Sequence, residues 1–301
     1  MELTTSVPTE DRTRLSFFLS ANRKLSYSIY GPESGMPFIL FHGSPGSRIA
    51  MEEDLFYQLG VQMICPERPG YGNSSPNPEA SFQSWAADIA EFLDHMRLGK
   101  VAIGGVSGGG PYAMAFAARH QDRMKSLSLI SSAAPPDLPG YKDKMALTNK
   151  VGFLLNKYAP FLVRSISKNF AKNLKKNPER TFDRVFKQLC DADKDIIRSM
   201  KAEGTFQVLV EHLQEAFANG VEGHVADMKI FSNPWDIAYE SISCMTYLWH
   251  GMEDTLAPVS GVRALAGFFP NVEAKYVPNA GHLLMEDATI FRQILEKVKG
   301  E

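Results

Sequence analysis

The sequence predicts an α/β fold in which a mostly parallel, doubly wound sheet is interrupted by one long helical insertion. Strand-like apolar runs alternate with helical periodicity over residues 37–130, and the alternation resumes at residue 245 and continues to residue 298. This alternation is typical of a parallel sheet with helices on both faces. Between the two regions the pattern is almost entirely helical, which indicates an insertion.

The chain is therefore predicted to contain two units. Residues 1–136 and 236–301 would form the sheet core, and residues 137–235 would form a helical cap inserted into that core. An insertion of this size is tolerated where the chain already lies at the surface. With 301 residues, 44% of them hydrophobic, the chain is long enough for one large domain that carries such an insertion.

The individual elements follow from local patterns. Residues 15–19 and 25–30 predict a hairpin, and the continuous apolar run 37–41 predicts a strand buried on both faces. The other core elements are predicted as strands at 61–65, 100–103, 127–130, 245–249 and 274–277, and as helices at 49–59, 82–98, 112–119, 261–269 and 288–298. The carboxyl ends of parallel strands meet at one edge of a sheet, so a ligand site is expected there.

Composition excludes several classes of protein. The formal net charge of −2 argues against nucleic acid as the main partner. The polar segment 1–14 does not resemble a signal peptide, and no apolar run approaches the roughly 20 residues of a membrane span. Cys65, Cys190 and Cys244 are widely spaced and form neither a metal-binding pair nor a disulfide framework, so they are predicted to be small buried apolar groups. A reducing, cytoplasmic location is predicted.

A glycine-rich turn at residues 105–109 carries the pattern Gly-x-Ser-x-Gly, with Ser107 at its centre. A strand that turns sharply into a helix through a serine exposes the hydroxyl at the helix N-terminus, where the backbone favours developing negative charge. A phosphate-binding P-loop would need Lys followed by Ser or Thr, whereas Pro111 and Tyr112 follow here. Ser107 is therefore the candidate nucleophile.

A serine nucleophile needs a base, almost always His, that is itself oriented by a carboxylate. The last predicted strand leads into Gly281 and His282, which makes His282 the candidate base. The preceding strand leads into a loop that contains Glu253 and Asp254. Neighbouring side chains in a loop point in different directions, so only one of these two carboxylates can orient the base.

The other six histidines are predicted to have no catalytic role. His42 and His250 end strands and are followed by glycine, so they are interpreted as residues that shape their loops. The remaining four fall within or at the ends of predicted helices and are interpreted as surface or capping residues: His95, His120, His212 and His224.

An oxyanion formed at the serine would need two backbone donors. The N–H of Gly108, directly after the serine, is the first candidate. The second is expected in the loop at residues 42–48, where Ser44 is the natural donor because Pro45 has no N–H. Loss of one such donor typically costs about 3 kcal/mol of transition-state stabilisation.

Taken together and in this order, these segments resemble the capped, single-domain α/β hydrolases. The resemblance rests on the loop 42–48, the Pro-Gly-x-Gly segment within 66–74, the turn at 105–109, the loop 250–258 and the pair 281–282. It implies Ser107 as nucleophile, His282 as base and Asp254 as the carboxylate that orients the base. It implies no metal and no organic cofactor.

The resemblance favours a serine hydrolase that cleaves carboxylic esters or related acyl compounds through an acyl-enzyme. An aminopeptidase similar to proline iminopeptidases is an alternative; it would need acidic cap residues to hold a substrate amine, and the candidates are Glu203, Glu211, Glu215 and Glu222. A hydrolase-like ligand receptor with little turnover is a second alternative. Haloalkane dehalogenases and epoxide hydrolases are disfavoured because they use Asp where this chain has Ser107.

Two basic features have more than one interpretation. Residues 142–176 carry nine Lys or Arg and one acid, Asp143, with apolar residues interleaved. This stretch is interpreted as a cap helix with a solvated lysine face, and alternatively as a basic amphipathic surface that makes weak contact with anionic membranes or with acidic substrates. Arg68 is interpreted as a structural ion-pair partner, and alternatively as a ligand of a substrate carboxylate. The acyl preference and the oligomeric state are not specified by the sequence.

Overall fold

The structure is a computed structural model that describes residues 11–49, 53–138, 141, 145 and 147–300. The strands in this part of the chain are β1 Leu15–Phe18, β2 Lys24–Tyr30, β3 Met36–Phe41, β4 Val61–Pro66, β5 Val101–Val106, β6 Met124–Ile130, β7 Met245–Gly251 and β8 Val272–Val277. The helices are α1 Glu53–Leu59, α2 Phe82–His95, α3 Gly110–Arg119, α4 Leu147–Tyr158, α5 Pro160–Lys176, α6 Pro178–Phe186, α7 Asp191–Glu203, α8 Phe206–Ala216, α9 Glu222–Phe231, α10 Val259–Ala266 and α11 Ala288–Lys299.

These strands form one sheet in the order β1-β2-β4-β3-β5-β6-β7-β8. The β1–β2 hairpin is antiparallel, as predicted, and β2 is also antiparallel to β4. Every neighbouring pair from β4 to β8 is parallel. The predicted fold class, a mostly parallel doubly wound sheet, is confirmed.

Both faces of the sheet are covered by helices. Phe38 and Leu40 of β3 belong to the apolar core that includes α1 and α11, whereas Ile39 and Phe41, one residue along, belong to the core that includes α2, α3 and α10. Successive side chains of a strand point to opposite faces. A strand covered on both sides therefore reads as the unbroken apolar run seen in the sequence.

Helix boundaries differ from the prediction where the backbone leaves the helical region. Helix α2 was predicted to extend to residue 98, but it ends at His95, because Arg97 takes a left-handed conformation with φ 53°. Helix α10 begins at Val259 and ends at Ala266, earlier at both ends than the predicted 261–269. Part of the predicted helix 49–59, residues 50–52, lies outside the described residues.

Six helices, α4 to α9, occupy the chain between β6 and β7, and we call residues 147–231 the helical insert. The insert has an apolar core of its own, to which Phe182, Ile197 and Phe206 contribute. Leu256 and Leu283, from the loops after β7 and β8, pack against this core. The division into a core and a cap at residues 137 and 235 stays a prediction, and Lys142, Asp143 and Lys144 lie outside the described residues.

Buried polar contacts join the insert to the sheet core. Arg68, 1% exposed, forms an ion pair with Asp227 of α9 at 2.8 Å, which confirms its interpretation as a structural ion-pair partner. Arg48 pairs with Glu215 of α8 at 2.5 Å and with Glu67 at 2.8 Å. The folded position of the insert is thus fixed by charge pairing as well as by apolar packing.

Two further predictions concern burial of the cysteines and the absence of a membrane span. All three cysteines are free; Cys65 is buried as expected, but Cys190 and Cys244 are only partly buried. Among the described residues, no helix is both long enough and apolar enough to cross a membrane.

Candidate active site

Ser107 occupies a sharp turn between β5 and α3. Its φ is 51°, a left-handed conformation that is strained for a residue with a side chain. A Cβ on Gly105 would lie 2.4 Å from the carbonyl oxygen of Gly109, and a Cβ on Gly109 would lie 2.2 Å from that of Phe41. Only glycine fits at these two positions, so the pattern Gly-x-Ser-x-Gly is a steric requirement of this turn.

Asp254 and His282, from the loops after β7 and β8, form a hydrogen-bonded pair. The Nδ1 of His282 lies 2.7 Å from Oδ2 of Asp254. The other oxygen of Asp254 accepts the backbone N–H groups of Leu256 and Ala257, both at 2.8 Å. Asp254 is 3% exposed, so its carboxylate is fixed in one orientation.

The neighbouring carboxylate in the same loop lies elsewhere. Glu253 is exposed, whereas Asp254 is buried against the imidazole of His282. The structure therefore brings Asp254, and not Glu253, to His282. His250 also contacts this carboxylate, with its Nε2 3.3 Å from Oδ2 of Asp254 and 2.6 Å from the carbonyl oxygen of Ala257.

The Asp254–His282 pair changes the pKa of both partners. Burial of the imidazole opposes its charge, but the nearby carboxylates, first Asp254 and then Asp193 and Glu286, together outweigh burial and raise the pKa of His282 to about 9. Burial likewise opposes ionisation of Asp254, yet the charge of His282 holds the pKa of Asp254 below its usual value. An ionised pair is therefore favoured in the free protein at neutral pH.

The loop that contains Ser44 lies directly beside Ser107. A Cβ on Gly43 would be 3.5 Å from the Cβ of Ser107, and a Cβ on Gly108 would be 2.7 Å from the Cβ of Ser44. The backbones of the two segments that hold the candidate oxyanion donors, Ser44 and Gly108, are thus in close contact. Gly108 has no room for a side chain.

Asp227 of α9 holds the loop that contains Ser44 in position. Its carboxylate accepts hydrogen bonds from the hydroxyl groups of Ser44 at 2.6 Å, Tyr71 at 2.7 Å and Tyr112 at 2.6 Å, in addition to the ion pair with Arg68. The same guanidinium donates to the carbonyl oxygens of His42 and Gly43. One carboxylate of the insert therefore organises the segment that contains Ser44, a candidate oxyanion donor.

A second carboxylate of the insert, Asp193 of α7, fixes the loop of His282. Asp193 is 0% exposed and accepts the backbone N–H groups of His282 at 3.0 Å and Leu283 at 2.9 Å. A Cβ on Gly281 would lie 2.4 Å from this carboxylate, so glycine is required beside the histidine. Asp193 and Asp227 were both missed by the sequence analysis.

Ser107 and His282 line one cavity of about 700 Å³, together with Ser44 and Gly108. A volume of this size suits a small organic molecule. The insert forms most of the wall with apolar side chains, among them Val163, Phe170, Phe182, Leu189, Leu209 and Phe231. The cavity is therefore lined by polar groups at the sheet edge and by apolar side chains of the insert.

Three titratable groups in this cavity were misassigned or missed. His212 and His224, predicted to be surface or capping residues, line the cavity instead. His212 is bonded through Nδ1 to the carbonyl oxygen of Ile49 at 2.9 Å. Glu286, which the sequence analysis did not single out, also lines the cavity, and burial raises its pKa to about 7.

The four acids proposed to hold a substrate amine do not line the cavity. Glu203 and Glu211 are exposed, Glu215 pairs with Arg48, and Glu222 pairs with Arg164 on the surface of the insert. Within the described residues, no cluster of three or more His, Cys, Asp or Glu could hold a metal ion.

The fold agrees with comparisons to known proteins. The model of the alpha/beta hydrolase fold family matches residues 36–289, most of the chain. The chain belongs to the alpha/beta hydrolase fold family, as the resemblance in its motifs implied.

Several individual proteins to which the chain is similar are named as hydrolases or esterases. The chain is 32% identical to the Uncharacterized hydrolase YcgS of Bacillus subtilis, but over only 36% of its own length and 38% of the relative's length. It is 25% identical to a 2-hydroxymuconate semialdehyde hydrolase of Pseudomonas putida over 91% of this chain and 90% of that protein. A thermophilic esterase of Thermogutta terrifontis aligns with a TM-score of 0.63 and 24% identity, covering 95% of this chain and 98% of that one. The esterase likeness concerns the fold alone.

Proposed function

We propose that the protein is a serine hydrolase that cleaves carboxylic esters or related acyl compounds. The observation that carries the proposal is the position of Ser107. Its strained turn lines the same cavity as His282, whose Nδ1 is held by Asp254 at 2.7 Å. A serine, a buried carboxylate and a histidine, which follow one another along the chain in that order, are the groups of a catalytic triad.

In the proposed reaction, Ser107 Oγ attacks the ester carbonyl carbon while His282 accepts the hydroxyl proton. The N–H groups of Ser44 and Gly108 hold the negative oxygen of the tetrahedral intermediate. Collapse of the intermediate breaks the C–O bond, and His282 returns its proton to the leaving alcohol. Water activated by His282 then hydrolyses the acyl-serine and regenerates the free enzyme.

The cavity wall favours an acyl substrate over a peptide amine. Four glutamates were candidates for binding a charged amine, and none of them lines the cavity. Within the described part of the chain, the acidic or basic residues that line the cavity, histidines apart, are Arg184 and Glu286. Apolar side chains from the insert surround the space beyond Ser107, which suits the acyl or alcohol group of an ester.

The test is covalent labelling with a fluorophosphonate probe together with hydrolysis of p-nitrophenyl esters of graded chain length. Ser107→Ala is expected to abolish labelling and to lower kcat by at least about a thousandfold, because the nucleophile is removed. Ser167→Ala is the matched control, since Ser167 lines the same cavity and, among the described residues, its hydroxyl donates only to the carbonyl oxygen of Val163, at 2.8 Å.

Three outcomes would contradict the proposal. These are absence of labelling in the wild type, labelling that persists in folded Ser107→Ala, and equal loss in both serine variants. An N-terminal proline amide is included as a substrate; its turnover without ester turnover would replace the esterase assignment by the aminopeptidase alternative. Tight binding of a small ligand without turnover would favour the receptor alternative.

A further inference from the structure

The outward face of α4 and α5 exposes a concentration of large apolar side chains. Seven of the twelve exposed large hydrophobic residues in the described part of the chain lie on these two helices. Phe161 is 72% exposed and Leu147 is 75% exposed, and the other five are Val151, Leu154, Tyr158, Leu162 and Ile166. Soluble monomers rarely expose apolar groups in such a cluster unless it contacts a partner or a membrane.

Helical geometry aligns these residues. Leu147, Val151, Leu154 and Tyr158 follow one another at intervals of three and four residues, so they form one stripe along α4. On α5, the stripe that begins with Phe161 continues through Lys168 and Lys172, seven and eleven residues later. The exposed face is thus apolar along α4 and the start of α5, and basic along the rest of α5.

The charge of this region has one sign. Residues 145–178 contain seven Lys or Arg and no Asp or Glu. Arg164 pairs with Glu222, but no described residue forms a salt bridge with Lys150 or with the lysines of α5: Lys168, Lys172, Lys175 and Lys176. These lysines are exposed, so the surface is positively charged around its apolar centre.

We propose that this face of α4 and α5 docks on the surface of an anionic lipid bilayer. Aliphatic and aromatic side chains can enter the boundary between headgroups and acyl chains, while the lysines beside them contact anionic headgroups. A second copy of the same chain is disfavoured as the occupant. A two-fold interface joins the same patch of both copies, so two positively charged surfaces would face each other and repel.

The docking face lies on the outer side of the cavity wall. Ile166 is 55% exposed and also lines the cavity, and the same two helices contribute Leu155, Val163 and Phe170 to its wall. Docking would therefore bring the wall of the cavity against the lipid. The docking proposal rests on the exposed face alone and holds independently of the reaction proposed for Ser107.

The test is flotation of the full chain with vesicles of phosphatidylcholine alone or of phosphatidylcholine with about 30% phosphatidylglycerol. We expect binding to the anionic vesicles that weakens at least about tenfold when salt rises from about 0.05 M to about 0.5 M, because the lysine contacts are screened. Equal binding to both vesicles, or binding to neither, would overturn the proposal.

Paired variants locate the surface. Phe161→Asp and the double variant Lys168→Ala with Lys172→Ala should each weaken anionic binding by about tenfold or more. The controls are Phe18→Asp, at a site that is 62% exposed on β1, and Lys100→Ala with Lys125→Ala, beside the amino ends of β5 and β6. The controls should bind like the wild type. An equal loss in the controls would show that this face is not the lipid-binding surface, and dimerisation that Phe161→Asp abolishes would assign the face to a second copy of the chain.

Discussion

Asp227 and Asp193 are both buried carboxylates of the helical insert that contact a loop of the sheet core, but their electrostatic surroundings differ. Asp227 pairs with a guanidinium and accepts three hydroxyl hydrogen bonds beneath the Ser44 loop. Asp193 accepts two backbone N–H groups at the His282 loop, and no described Lys or Arg pairs with it.

Asp227 and Asp193 therefore hold their loops in position in two different ways. At Asp227 the charges of both partners are mutually compensated, so removing one partner leaves the other buried and alone. At Asp193 the negative charge is compensated by backbone dipoles and acts on the imidazole of His282, whose pKa it helps to raise. Asp227 is therefore expected to matter most for stability, and Asp193 for the state of the histidine.

The largest effect is expected for Asp227→Ala. This change leaves the guanidinium of Arg68 buried without its counter-charge, and breaking a buried pair in this way costs about 3–5 kcal/mol. Urea unfolding measures the loss of free energy. Asp195→Ala is the control, because Asp195 is exposed and forms a salt bridge with Arg198 on the same helix, and it should change stability by less than about 0.5 kcal/mol.

The double variant Arg68→Leu with Asp227→Leu sharpens this prediction. Removing both charges should recover a large part of the stability lost on removing one, since the uncompensated charge is gone. A double variant that is as unstable as the sum of the two single variants would contradict charge compensation as the role of Asp227.

A smaller loss of stability is expected for Asp193→Asn. The amide keeps one acceptor for the two backbone donors, so about 1–2 kcal/mol should be lost from the charged hydrogen bonds. The displaced imidazole should lower kcat by about tenfold. Asp191→Asn, in the exposed first turn of the same helix, is the matched control. An unchanged kcat with normal folding in Asp193→Asn would show that Asp193 does not position His282.

The pH dependence of kcat/KM tests whether Asp193, unlike Asp227, acts on the charge of His282. The proposed base must be neutral, so kcat/KM should rise with pH until the pKa of His282, about 9, is passed. The stabilisation from the ionised pair runs in the opposite direction: it is complete below the imidazole's ordinary pKa of 6.5 and is lost as pH rises through about 9.

Asp193→Asn should move the rise of kcat/KM to lower pH, because one of the carboxylates that raises the pKa of His282 is removed. Asp227→Asn, where it folds, should leave the midpoint in place, since Asp227 does not act on the pKa of that histidine. A profile that is flat between pH 6 and 9, or a shift of equal size in both variants, would count against this division of roles.

The smallest effect is expected at an exposed ion pair of the insert. Arg164 and Glu222 are each more than 40% exposed, so solvent screens their attraction. Arg164→Met should change the free energy of unfolding by no more than about 1 kcal/mol. A loss of free energy as large as that of Asp227→Ala would show that burial is not the reason why the Arg68–Asp227 pair stabilises the fold strongly.

The element order and the candidate triad were accessible from sequence because their signals are local. The apolar runs follow from burial of both sheet faces, and Ser107 is marked by glycines that its own turn requires. His282 is marked by its place after the last strand. The choice between Glu253 and Asp254 was not local, since it depends on which side chain turns inward; the resemblance implied Asp254, and the structure brings that residue to His282.

The roles of Asp193 and Asp227 were not accessible, because each depends on contacts with residues far away in sequence. Asp227 meets Arg68 across 159 positions, and Asp193 meets His282 across 89. Asp193, in the first turn of α7, reads as an ordinary helix-terminal acid. The one local signal for Asp227 is its spacing: a carboxylate stands four residues after buried Gly223 and four before buried Phe231.

The close approach of Gly281 to the Asp193 carboxylate also constrains how this chain can diverge. A Cβ at position 281 would lie 2.4 Å from that carboxylate, so a mutation there displaces Asp193 from its hydrogen bonds to His282 and Leu283. A lineage that first loses the carboxylate gains freedom at position 281, but once a side chain has filled the space, restoring Asp193 becomes harmful. Position 193, on the helical insert, and position 281, beside His282, therefore can change in evolution only in a certain order.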